Sequence, residues 1–191
     1  AQQAWMQLGY NQEENEKPSL IPIRINGHAH AEIVWASSLD PARARIESIP
    51  HPTSGRRYGE IVLHDCTPNG YRVVQQRQLP VYKELERIEK SWYKTYAVTL
   101  HTNQQSDIDV LDQLCHNEKL GFDNWSNLNE LHGKSLLQGR REYYDASFMQ
   151  AGLADFQIIA IAALKGRTVQ KVLKNWHIIT LKEYDQLQRL L

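Results

Sequence analysis

The chain has 191 residues, enough for one large domain or two small ones, each with a core of its own. Apolar residues make up 41% and charged residues 23%, as in ordinary globular proteins, and 22 basic residues balance 22 acidic ones. That balance excludes strong polyanion binding driven by bulk charge and leaves only a local basic patch.

Two cysteines, Cys66 and Cys115, exclude a disulfide framework and read as two buried free thiols in a reducing compartment. No apolar run reaches the length of a membrane span; the longest, at 158–164, fits a buried strand or a short helix. The opening AQQAWMQLGY lacks the basic-then-apolar layout of a signal peptide, so the expected location is cytoplasmic, without a membrane partner. Ala1 reads either as the residue after a removed initiator Met or as the start of a fragment.

In chain order, residues 1–17 read as a helical segment and linker: a helical turn or two over 1–10 carrying Trp5 and Leu8, then the charged stretch NQEENEKP. Residues 20–26 alternate Ile21, Ile23 and Ile25 with Pro22 and Arg24, and Asn26-Gly27 offers a tight turn into a return strand at 28–35. Further strands are expected at 43–49, at 58–64, and at 71–77 leading into 79–82, separated by HPTSG and by TPNG. Five or six short strands with such turns describe a small antiparallel β-barrel, SH3- or OB-like, over 18–85. A short charged helix follows near 83–90.

The second half changes period. A strand at 96–101 precedes a helix at 106–120, with Ile108, Leu111, Leu114 and Cys115 on one face, a Ser106/Asp109 box and a Gly121 stop. Residues 156–164 read as a central strand, and 168–176 as a helix with Val169, Val172, Leu173 and Trp176 aligned. A short strand at 177–179 and a final helix capped by Thr180 and Glu183 complete the chain. The outline is a ferredoxin-like split βαβ domain over 91–191 with a C-terminal helix. Its second strand falls at 122–125 or at 142–146. The fold class is therefore α+β.

EIVWA at 32–36, IESIP at 46–50, Gly55 and GEIV at 59–62 together resemble a bacterial domain-of-unknown-function family, number four-two-six-five. Members combine such strands with a following α+β segment of similar length; the likeness covers the first half well and the second in outline. The family's usual aromatic after Ile-Pro is His51 here. The resemblance implies an uncharacterised bacterial module and supplies no catalytic residue to carry over.

Three constellations are candidates for chemistry. His28 and His30 share a strand face and, with His64, have the composition of a three-ligand metal site with one open position; the alternative is a polar face beside a turn. His64-Asp65-Cys66 fails as a nucleophile with its base, because strand neighbours point to opposite faces. Arg43, Arg45, Arg56, Arg57 and Arg72, with Tyr58, Arg77, Trp35 and Tyr71 nearby, have the cations and rings of a single-stranded nucleic-acid surface; the alternative is an edge protected by charge. HGKS at 132–135 lacks the glycine spacing and leading strand of a phosphate loop. Residues 126–150 are long for a loop and suit contact with a partner.

The sequence reading is a non-enzymatic interaction or accessory module without a cofactor, with a protein partner or self-association. A nucleic-acid-binding regulator is the alternative, and a histidine-ligated metal-dependent hydrolase a weaker one.

Overall fold

Alternation along the first strands is realised as an inward row and an outward row. Strands β1 (Leu20–Ile25), β2 (Glu32–Ser38), β3 (Arg43–Ile46) and β4 (Ile61–His64) pair antiparallel in succession. Strand β7 (Tyr82–Glu89) closes them into a five-stranded barrel, antiparallel to β4 and parallel to β1. Ile23, Ile25, Val34, Ala36, Ala44, Ile46 and Val62 fill the interior. Strands β5 (Tyr71–Val74) and β6 (Arg77–Pro80) form a separate two-stranded ribbon. The computed structural model describes residues 19–26, 31–74, 76–126 and 156–191, and the chain divides into two compact units between Ser91 and Trp92. The helical segment and linker expected over 1–17 and the strand considered at 142–146 lie outside the described residues.

Several expectations for this unit are corrected. In the first hairpin Ile25 pairs with Glu32, a register that a two-residue turn at Asn26-Gly27 does not give; residues 27–30 lie outside the described residues, and β2 runs on to Ser38. Residues 71–77 are not one strand, because Gln76 adopts φ 65 and folds the chain back as β6. The charged helix near 83–90 is β7, and the barrel therefore extends beyond residue 85. The reason lies in two register slips against β4: Leu63 and His64 pair with Glu86 and Glu84, skipping Leu85, while Ile61 and Val62 pair with Glu89 and Arg87, skipping Ile88. Two β-bulges thus put Leu85 and Ile88 three apart on the exposed side, a spacing that imitates a helix.

The second unit is a four-stranded sheet carrying two helices among the described residues. Its succession is β8 (Lys94–Leu100), α1 (Gln105–Asn117), β9 (Gly121–Asn124), β10 (Gln157–Ala163), α2 (Gly166–Thr180) and β11 (Gln188–Arg189). The strand order is β11-β8-β10-β9, each neighbouring pair antiparallel. Tyr96, Val98, Leu100, Ile159 and Ile161 meet Ile108 and Leu111 of α1 and Val169, Val172, Leu173 and Trp176 of α2 in one apolar core. Gly166 opens α2 against Tyr96: a Cβ there would sit 2.9 Å from the phenol oxygen.

The Ser106/Asp109 box does not form, since Gln104 occupies the N-cap without a side-chain bond. Thr102 Oγ1 instead donates to Asp107 Oδ2 at 2.6 Å and accepts from the Gln104 N–H at 3.1 Å. Trp176 Nε1 donates to the Asp107 carbonyl at 2.7 Å, tying α2 to the first turn of α1. Helix α1 ends at Asn117, with Lys119 at φ 56 before Gly121 enters β9.

The strand expected at 177–179 and the C-terminal helix are also corrected. Thr180 Oγ1 donates back to the Trp176 carbonyl at 2.9 Å, so its hydroxyl closes α2 and does not cap a new helix. Leu181 turns the chain at φ 58, Tyr184 bridges to Leu100, and β11 adds to the free side of β8. No helix among the described residues is long and apolar enough to cross a membrane.

Candidate functional site

The arginines of the barrel do not gather into one basic face. Asp40 opens the turn before β3, accepting from the N–H groups of Ala42 at 3.0 Å and Arg43 at 2.8 Å and from Arg43 Nε at 2.6 Å. Burial alone raises the Asp40 pKa, but these bonds outweigh it and hold the carboxyl below its ordinary value. Arg43 is thereby engaged. Arg56 Nε pairs with Glu84 Oε1 at 2.6 Å, and Glu84 Oε2 accepts from the Asn26 N–H at 3.2 Å. Arg57 and Tyr58 are half-buried in the turn before β4, and Arg45 stands exposed on the outer row of β3 opposite Ser37.

Arg72 is used differently. Its guanidinium lies 5.7 Å from the centre of the Trp35 ring, and burial lowers its pKa. The stacking ring that a nucleobase would need is thus in contact with a cation of the same unit.

A second set of polar groups lies inside the barrel. Glu60 is 2% exposed, and its Oε1 takes Arg87 Nη1 at 3.3 Å while the same nitrogen reaches the Gly55 carbonyl at 3.3 Å. Glu32 Oε2 accepts from the His51 N–H at 3.0 Å. These glutamates and Glu84 pin residues 51–60 onto the strands beneath. His64, 4% exposed, points inward beside Tyr82, with ring centres 5.2 Å apart. Its Nδ1 bonds the Asp65 carbonyl at 2.9 Å, so that nitrogen carries the hydrogen, and its Nε2 has no partner among the described residues. His28 and His30 lie outside those residues, and no group of three or more His, Cys, Asp or Glu among the described residues is placed to hold a metal ion. Cys66 is exposed, correcting the expectation of two buried thiols, while Cys115 is buried.

The ribbon β5–β6 is the feature that sequence reasoning missed. Tyr71 pairs with Pro80, Arg72 with Leu79, Val73 with Gln78 and Val74 with Arg77. Alternation turns Arg72 and Val74 toward the barrel and puts Tyr71 and Val73 on the other face, 65% and 69% exposed. The base of the ribbon is clamped where the Asn69 N–H donates to the Val81 carbonyl at 2.7 Å and the Val81 N–H to the Gly70 carbonyl at 2.9 Å. A two-stranded ribbon is marginal alone, so the Arg72–Trp35 contact and buried Val81 hold it in place. The available signal was compositional: no acidic residue occurs from Cys66 to Lys83.

No family model matches the chain, and no curated protein matches it. Among solved structures, a hypothetical protein from Neisseria gonorrhoeae is similar over 90% of this chain and 94% of that one, with 9% identity and a TM-score of 0.36. A likeness so slight carries no argument.

Proposed function

We propose that the chain is a protein-interaction module that docks a partner through the outer face of the β5–β6 ribbon. One observation carries this reading: two adjacent large apolar side chains, Tyr71 and Val73, face solvent on a ribbon whose other face is pinned by Arg72 over Trp35. Single exposed apolar residues are ordinary, but neighbours on one face of a ribbon make a compact apolar contact. Tyr brings a rigid body and a polar tip, a combination favoured at the centres of interfaces. The nucleic-acid reading is weaker, because Arg43 and Arg56 are committed to carboxylates and Arg72 to Trp35.

The module keeps the bacterial character implied by its resemblance at 31–65. Within it, the closed barrel supports a small-barrel assignment, SH3- or OB-like, and the succession βαββαβ with order β11-β8-β10-β9 supports a ferredoxin-like second unit.

Affinity capture from the source lysate with and without nuclease tests the reading, using the wild-type chain beside Tyr71→Ser/Val73→Ser. A recovered protein that survives nuclease and is lost with the double variant is the expected result. Recovery that collapses on nuclease treatment, or is indifferent to the variant, contradicts it.

A further inference from the structure

Helix α2 carries charge of one sign. From Phe156 to Lys182 no acidic residue occurs, whereas Lys165, Arg167, Lys171, Lys174 and Lys182 do. Val169, Val172, Leu173 and Trp176 commit one side of the helix to the core. Arg167, Lys171, Lys174 and Ile178 follow one another by four, three and four positions, which sets them in one exposed row about 16 Å long.

The basic row ends in aliphatic side chains. Ile178 and Ile179 are 69% and 58% exposed, and Leu181, whose φ of 58 turns the chain out of the helix, is 83% exposed. Three large aliphatic residues within four positions make a patch, unlike a single exposed leucine. Neighbouring acids do not cancel the row. Glu118 takes Lys171 at 2.7 Å, and among the described residues Arg167 and Lys174 make no ion pair. Beyond the helix, Glu183 faces His177 at 3.8 Å and Asp185 faces His101 at 2.7 Å. Asp109 and Asp112 lie about half a turn round α1 from Asp107 and Glu118, the positions that meet α2.

We propose that this face of α2 rests on an anionic lipid surface. Arg167 and Lys174 meet headgroup phosphates, and Ile178, Ile179 and Leu181 enter the apolar layer beneath. A nucleic acid would use the cations but leave the aliphatic tip in water, and the row lacks the aromatic rings on which bases stack. Protein interfaces centre on aromatic anchors, whereas Ile and Leu are the side chains that partition into acyl chains. The contact is peripheral, since no helix among the described residues is long and apolar enough to cross a membrane. It uses the second unit and is a different surface from the docking ribbon.

Flotation of the whole chain with vesicles tests it, using phosphatidylcholine alone and phosphatidylcholine with an equal part of phosphatidylglycerol, at low and high salt. Arg167→Glu/Lys174→Glu tests the charge and Ile178→Ser/Ile179→Ser the apolar tip. All four positions are exposed, so unchanged circular dichroism and melting serve as the folding control. The expected result is binding to the mixed vesicles only, weakened by salt, and at least about tenfold weaker with either double variant. Tyr71→Ser/Val73→Ser should leave that binding unchanged. A chain that ignores the mixed vesicles overturns the inference, and so does binding indifferent to either double variant. Loss of a captured acidic protein with both variants, without any vesicle binding, would also overturn it and put a protein on this face.

Discussion

The two units build their interiors from different materials. The sheet-and-helix unit packs thirteen residues into a core, and a hydrogen-bonded link from Thr102 to Asp107 to Trp176 ties its two helices together. The barrel encloses seven apolar residues, and glutamates at 32, 60 and 84 clamp the long connection onto it. A small barrel cannot bury enough apolar surface to fix its longest loop by packing alone, and hydrogen-bonded charges complete it. The larger core has no such need. The consequence is a barrel whose stability is sensitive to single charges and a second unit sensitive to single volumes.

Substitutions sharpen that contrast. Trp176→Ala removes a fully buried ring and the donor to Asp107, and is expected to cost about 3–5 kcal/mol, read as loss of the second unit's transition in denaturant unfolding. Arg87→Ala strands the Glu60 carboxylate and is expected to cost about 3 kcal/mol, whereas Glu60→Met with Arg87→Met restores most of it. If the single and the double variants were equally unstable, the barrel would depend on volume after all, and the contrast would fail.

Gly166→Ala drives a methyl against the Tyr96 ring and is expected to cost about 1–3 kcal/mol. Tyr96→Phe in that background should recover part of the loss, because the nearest atom is the phenol oxygen. The smallest effect at neutral pH is at the cysteines. Exposed Cys66 should react at once with a thiol reagent, and Cys115 only on unfolding, since burial pushes its pKa up to about 12 with Asp112 adding to the shift. A raised thiol pKa in the folded state makes this contribution constant below the ordinary 9.0 and lost as pH climbs toward about 12. Stability that rose over that interval would contradict a buried neutral thiol.

The same contrast explains what could be read in the sequence. Ile21, Ile23 and Ile25 alternate because one face of β1 meets a dry interior, and Val169, Val172, Leu173 and Trp176 repeat as a helix for the same reason. Pattern fails where burial and polarity part company. Strand β7 escaped because its inward positions include Glu84 and Arg87, and its bulges give Leu85 and Ile88 a helical spacing. The chain end escaped because Thr180 has the residue type of an N-cap yet bonds backward to Trp176. At the candidate site, arginines were visible as a count, but their partners Asp40 and Glu84 are chosen by the fold, three and twenty-eight positions away. The exposure of Tyr71 and Val73 depends on the turn at Gln76, which no Gly announces.

Photo-crosslinking inside the cell tests the docking ribbon most directly, with a photoreactive residue placed at position 73 and, in a second chain, at position 45 on the exposed outer row of β3. The account predicts a nuclease-resistant protein adduct from position 73 and none from position 45. Adducts formed at 45 and not at 73, or nucleic acid captured at 45, would contradict it.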